Sequence, residues 1–198
     1  GDVVTMGNNS SFGGFVIDGT LLTGNGVTIN GVNGASVSDV QISNVGGAGI
    51  LVQDVAANSS TTIVNTIIEN AAGPAFHVNR GAGDIGFNST STTLDPSFAS
   101  IVNSSNEAVL IEDRLGGNVN MFGATIDDVG AGGIVIRGNV AGFPSLGNVT
   151  IDNATITDAG GTGINVQNVD GSVTFRSTVR PATTVTSAIG TSVNIVEQ

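Results

Sequence analysis

Few side chains in this chain of 198 residues could carry chemistry. It contains one histidine, five arginines and no lysine, cysteine, tyrosine or tryptophan. His77 and Arg80 lie three positions apart, and Glu112 and Asp113 occupy the equivalent stretch of the next repeat. A histidine, a guanidinium and two carboxylates on one surface would suit acid–base chemistry or the binding of a saccharide. These four residues form our first candidate binding patch, and we assign no residue a catalytic role.

A second interpretation of the same patch is structural. In the repeat register, Arg80 would lie between Asp54 and Asp113, and Glu112 would lie beside Arg137. Ion pairs between exposed side chains contribute only about 0 to 1 kcal/mol each, so they would form a solvated surface without a function of their own. The sequence favours this interpretation. Replacing His77 and Arg80 together by Ala should then leave glycan binding unchanged.

Two phenylalanines add candidates in the stretches where the repeat is longest. Extra residues in a solenoid emerge as loops, and such loops often carry binding. We expect a loop over residues 81–100 that contains Phe87, and another over residues 138–148 that contains Phe143. Either ring could stack on a sugar or a partner, but the favoured interpretation is that both pack over the core beneath the loop.

The elements that must position these residues are predicted by an internal repeat. An eleven-residue phrase occurs six times: an aliphatic residue, usually Asn or Asp two positions on, a small residue five later, then two apolar residues separated by one. Its copies begin at Ile42, Ile68, Ile101, Ile126, Ile156 and Val185, which are 26, 33, 25, 30 and 29 residues apart. Self-similarity at such a period indicates a solenoid.

The spacing of the apolar residues inside the phrase indicates β-strands. Pairs such as Ile134 and Ile136 alternate with a period of two, and no stretch carries a helical stripe. Each repeat holds two or three short strands that cannot bury a face alone, so neighbouring coils must stack. We therefore predict an all-β fold, a parallel β-helix of about six to seven coils forming one domain over residues 1–198.

Polar and small residues recur at positions that we expect to be corners of the coil. Asn tolerates the left-handed backbone of a sharp corner, and stacked side-chain amides can bond one another. The sequence predicts two polar columns and one column of small residues. The first polar column is Asn44, Asn70, Asn103, Asp128 and Asp158; the second is Asp39, Asn65, Gly123 and Asn153; the small column is Gly49, Ala75, Ala108, Gly133 and Gly163.

From Val27 to Ile195 these residues resemble the right-handed parallel β-helix repeat proteins, a broad group with pectate-lyase-like architecture that contains pectin-degrading enzymes, phage tailspikes and bacterial surface adhesins. The resemblance implies a catalytic set for hydrolases of the polygalacturonase kind, of which only Asp127-Asp128 is present, and Asp128 belongs to a corner column. Lyases of the pectate kind need calcium-binding carboxylates and a basic residue beside them, and this chain has no such cluster. We expect no metal and no cofactor.

The composition of the chain limits the classes of partner that we expect it to bind. The formal net charge of -11 disfavours binding to nucleic acid and to anionic membrane surfaces. The sequence has no apolar run of about 18 residues, so we expect no membrane insertion. The chain begins and stops within repeat-like sequence, so we interpret it as an excerpt of a longer, exported protein. The expected partners are a polysaccharide or another cell-surface protein, together with end-to-end or edge self-association.

The function expected from these features is that of a non-catalytic structural or adhesive segment of a secreted or cell-surface bacterial protein. A carbohydrate-active enzyme, either a polysaccharide lyase or a glycoside hydrolase, is the alternative. The two hypotheses differ in one observable, which is the release of products from a polysaccharide.

Overall fold

The computed structural model describes residues 1–20, 22–88, 99–138, 147–178 and 183–196. Within these ranges the chain forms β-strands and no helix, and the parallel sheets stack as a β-solenoid of about six turns. The predicted fold class, an all-β parallel β-helix, is confirmed. The strands begin well before the first copy of the phrase at Ile42, because β-strand is already present at Val4.

The described residues form twenty strands. In chain order they are β1 Val4–Thr5, β2 Ser11–Gly13, β3 Val16–Asp18, β4 Val27–Asn30, β5 Ser36–Ser43, β6 Ile50–Gln53, β7 Ser60–Glu69, β8 Phe76–Asn79, β9 Asp84–Asn88, β10 Ser100–Val102, β11 Val109–Glu112, β12 Asn118–Phe122, β13 Thr125–Val129, β14 Ile134–Arg137, β15 Asn148–Asp152, β16 Thr155–Ala159, β17 Ile164–Gln167, β18 Val173–Arg176, β19 Thr184–Thr186 and β20 Val193–Val196.

The strands form three faces. The first face is an eight-stranded parallel sheet in the order β1-β4-β6-β8-β11-β14-β17-β20. The other strands form a twelve-stranded sheet with two arms, joined where the long strands β5 and β7 run through the bend. We call the arm that carries β9, β12, β15 and β18 the second face, and the arm that carries β10, β13, β16 and β19 the third face.

The core consists of apolar columns in the register that the repeat predicted. Equivalent residues of successive phrases pair directly across the coils, for example Ile42 with Ile68 and Ile126 with Ile156. The inward columns are Val4, Val27, Ile50, Phe76, Val109, Ile134, Ile164 and Val193 on the first face, Phe12, Val37, Ile63, Phe87, Met121, Ile151 and Phe175 on the second, and Ile17, Ile42, Ile68, Ile101, Ile126, Ile156 and Val185 on the third. Most of these side chains are fully buried, so burial of apolar surface is the main stabilising contribution.

Both predicted polar columns are confirmed as corners. Asn44, Asn70, Asn103, Asp128 and Asp158 have φ between 48° and 56°, and Asp39, Asn65, Gly123 and Asn153 have φ between 50° and 66°. Side-chain amides also bond between coils, since Asn70 Nδ2 donates to Asn44 Oδ1 at 3.1 Å and Asn65 Nδ2 donates to Asp39 Oδ1 at 3.1 Å. Asn and Asp occupy these positions because their short polar side chains tolerate the left-handed region.

A third corner follows the strands of the first face, where the sequence predicted only a surface column. Asp54, Arg80, Asp113 and Asn168 all have positive φ, from 51° to 55°. The predicted alignment of Arg80 with Asp54 and Asp113 was right, but the common role of these residues is to turn the chain. Arg80 is an unusual residue for this conformation because it lacks a side chain that bonds readily to its own backbone.

The small residues lie, as predicted, where the chain bends immediately before each strand of the first face, and they also have a steric role there. Gly49, Gly133 and Gly163 do not adopt positive φ. A Cβ on Gly133 would lie 2.7 Å from Cγ2 of Ile156, and one on Gly49 would collide with the side chain of Ile68. These positions stay small because the backbone there passes directly over the isoleucine column of the next coil.

The predicted loop over residues 81–100 is wrong at its beginning. Residues 84–88 form β9, which pairs with β7 on one side and β12 on the other. The sequence missed this strand because the phrase repeats on the third and first faces and has no fixed signature on the second. Residues 89–98 lie outside the described part of the chain.

Candidate functional site

The candidate patch is centred on an outward row of the first face. His77 lies between Leu51 and Leu110 on adjacent strands. Glu112 lies on β11, and Arg137 is its neighbour on β14. Outward side chains alternate with core side chains along each strand, so parallel stacking at about 4.8 Å brings these three residues together.

Glu112 bridges His77 and Arg137. His77 Nε2 lies 2.8 Å from Glu112 Oε1, and Arg137 contacts Oε2 through Nη2 at 2.6 Å and Nε at 2.7 Å. The side chains of His77 and Glu112 are 17% and 15% exposed, whereas that of Arg137 is 44% exposed. The array therefore spans three successive coils with its carboxylate largely shielded from water. We call it the His77–Glu112–Arg137 array.

The electrostatics of Glu112 reflect opposing effects. Partial burial acts to raise the pKa of the carboxyl, but hydrogen bonds from Arg137 and His77 and the charge of Arg137 act against burial and leave the pKa below its usual value. The carboxylate is thus held in its charged form. An ionised acceptor of this kind can orient the histidine ring, because it fixes which ring nitrogen faces the strand neighbour.

Arg80 and Asp113 are not part of this array. Arg80 Nη2 pairs with Asp54 Oδ2 at 3.2 Å, and both side chains are substantially exposed. Asp113 occupies the same corner column on the next coil, but within the described ranges it forms no ion pair. The structure therefore divides the predicted patch into a shielded array on the sheet and an exposed ion pair at the corner.

The two candidate phenylalanines have different outcomes. Phe87 is an inward residue of β9, 1% exposed, and its ring lies 4.8 Å from that of Phe76. It cannot present a face to a sugar, so the packing interpretation applies to it. Phe143 lies outside the described residues.

A buried arginine was not anticipated from the sequence. Arg114 is 1% exposed and donates to backbone carbonyls, through Nη1 to Arg80 O at 2.7 Å and through Nη2 to Gly83 O and to Gly116 O at 2.9 Å. Burial lowers the pKa of Arg114 to about 10, although the nearby charge of Asp84 acts to raise it. An arginine occurs at this position in one coil only, so the repeat did not predict these hydrogen bonds to backbone carbonyls.

The described residues provide no group of three or more His, Cys, Asp or Glu side chains that could hold a metal ion. Nor does that part of the chain contain a helix long and apolar enough to cross a membrane. The His77–Glu112–Arg137 array itself presents one imidazole, one ionised carboxylate and one partly exposed guanidinium.

Fold and site together define a parallel β-solenoid that carries a cross-coil ionic array on one face. No protein-family model, no curated protein and no solved structure matches this chain.

Proposed function

We propose that the chain is a non-catalytic structural and adhesive segment of a secreted or cell-surface bacterial protein. The observation that carries this proposal is that Glu112 has both carboxylate oxygens engaged, one by His77 and the other by Arg137. A general acid or base needs an atom that can reach the substrate. The core columns and corner ladders fit the same proposal, since they supply length and rigidity.

Turnover measurements test the absence of catalysis. We expect the purified chain to release no products from polyuronates or neutral polysaccharides, with or without calcium, when reducing ends and unsaturated products are both followed. Product release above that of a heat-denatured sample would overturn the proposal. Cellular location is tested separately, because an antibody against the chain should label intact cells or the culture medium and not the cytoplasmic fraction.

A carbohydrate-active enzyme is the second candidate function. The observation that favours it is the 2.8 Å contact between His77 and Glu112, because an imidazole oriented by a carboxylate is a recurrent acid–base arrangement. Under this hypothesis the other ring nitrogen of His77 would act on the substrate. His77→Ala would then abolish any turnover, whereas Arg80→Ala, at the separate corner, would leave it unchanged.

A further inference from the structure

A groove near the amino-terminal end of the solenoid is distinct from the His77–Glu112–Arg137 array. It has a volume of about 360 Å³, which is within the range of sites for small ligands. It lies where the second and third faces meet, and residues of three successive coils line it. The lining side chains that matter here are Phe15, Val16, Asp39, Gln41, Asn65 and Ile67.

Phe15 supplies an accessible aromatic ring. It is 57% exposed and stacks on Phe12 with the ring centroids 4.9 Å apart and the planes 7° from parallel. The adjacent Val16 is 71% exposed. An exposed ring of this size is uncommon at a protein surface, and a neighbouring ring that holds it in place reduces the entropy that binding would cost. The aromatic pair is thus a preorganised apolar platform.

The polar side chains of the groove are carboxylate and amide groups. Asp39 is exposed at its corner and accepts a hydrogen bond from Asn65. Gln41 Nε2 donates to Glu69 Oε2 at 3.3 Å, which places a second carboxylate beside the groove. None of the lining residues is a lysine or an arginine, and the whole chain carries a formal net charge of -11. The potential at this site therefore attracts cations and repels polyanions.

We propose that this groove binds an amino-sugar unit of a cationic polysaccharide. The apolar face of the sugar ring would pack on Phe15, with Val16 and Ile67 at its sides. The ammonium group would pair with Asp39, and the hydroxyl groups would bond the amides of Gln41 and Asn65. The inference rests on the adhesive function proposed above, since it assigns that function a ligand of defined chemistry.

A basic peptide fits the groove less completely. A lysine or arginine side chain would also use the ring and the carboxylate, through cation–π and ionic contacts. Such a side chain carries no hydroxyl groups that could bond the amide side chains of the groove, whereas a sugar ring carries several. Charge complementarity likewise excludes uronate polymers, whose carboxylates would face Asp39 and Glu69.

Titration of the purified chain with oligomers of glucosamine, N-acetylglucosamine and galacturonate tests this assignment by calorimetry. We expect the glucosamine oligomer to bind best, with an affinity that falls as salt is added. Phe15→Ala should weaken binding at least about tenfold. Asp39→Asn, which retains an acceptor for Asn65, should remove the preference for the free amine. Leu115→Ala, at 58% exposure, and Asp128→Asn, at another positive-φ corner, are the matched controls and should change nothing.

Three outcomes would overturn the assignment: no binding of the glucosamine oligomer, equal binding of the N-acetylated oligomer, or tighter binding of an oligolysine peptide of equal length. Circular dichroism checks that Phe15→Ala keeps the fold. If Phe15→Ala does not fold, the ligand preference of Asp39→Asn still tests the site. The same samples are assayed for product release. Absence of binding without turnover refutes the amino-sugar site alone, whereas turnover refutes the non-catalytic function.

Discussion

Glu112 shows how one side chain in the candidate site acts on stability. Its pKa is lower in the folded chain than its usual value of 4.5, so it binds protons more weakly when folded than when unfolded. The stabilisation from the charged carboxylate is therefore complete above the unfolded pKa and is lost as the pH falls through the folded pKa. The pH window of this loss begins near 4.5 and extends downward.

Glu112→Gln should accordingly be less stable than the wild type by about 1 to 2 kcal/mol near pH 5, with the difference shrinking as the pH falls below 4.5. Urea unfolding at several pH values measures this difference. Arg137→Met should remove part of the same pH-dependent stabilisation, because Arg137 donates two of the contacts to the carboxylate. A difference that stays constant with pH would show that the charge of Glu112 does not matter.

Single residues outside the repeat were the least predictable part of the site. The alignment places His77 beside Leu51 and Leu110 because all three occupy the tenth position of their copies of the repeated phrase. It gave no information on Arg114, which has no counterpart in other coils. It also missed Phe15, because the first coil is a worn copy in which Val27 lies ten positions after Ile17, whereas Ile50 lies eight positions after Ile42 in the next coil.

At the scale of elements, the corners determine where each strand stops. Asn70 is exposed, has φ of 55° and donates to Asn44 across the coil. Glycine at this position would adopt the left-handed backbone without strain but would lose the hydrogen bond. Alanine would lose the hydrogen bond and would also be strained in the left-handed region. The positive φ costs about 1 to 2 kcal/mol for alanine, a cost that asparagine largely avoids because its short polar side chain tolerates the left-handed region, and the hydrogen bond contributes about 0.5 to 1.5 kcal/mol.

Unfolding free energies should therefore rank wild type above Asn70→Gly, and Asn70→Gly above Asn70→Ala, with about 1 kcal/mol or more between the two variants. Asn120→Ala is the control, since Asn120 is exposed on β12 and does not have positive φ. Its effect should remain within about 0.5 kcal/mol. Equal stability of the two Asn70 variants would contradict the role assigned to the corner.

Elements were predictable from sequence where the phrase recurs and not elsewhere. The strands of the first and third faces carry the phrase, so their register followed directly from the alignment of isoleucines. The second face has the same inward alternation, but its column mixes Val37, Ile63, Phe87 and Met121 at varying distances from the phrase. Only stacking against neighbouring coils identifies Phe87 as a core residue, and that information is absent from a single repeat.

At the scale of the whole molecule, stability should depend on position along the solenoid axis. Each coil contacts only its neighbours, so a central coil is stabilised from two sides. Ile126 is fully buried between β10 and β16, whereas Ile195 in the last described strand is 69% exposed. Truncation of a buried isoleucine to alanine costs about 2 to 5 kcal/mol, and truncation of an exposed one costs much less.

Ile126→Ala should lower the global free energy of unfolding by about 2 to 5 kcal/mol and speed amide exchange in every coil. Ile195→Ala should cost less than about 1 kcal/mol and change exchange only in β17 and β20, which are adjacent. Hydrogen exchange followed by mass spectrometry separates these patterns. If the two variants destabilised all coils equally, the solenoid would unfold as one indivisible unit, and the nearest-neighbour description that underlies the rigid-segment proposal would not hold.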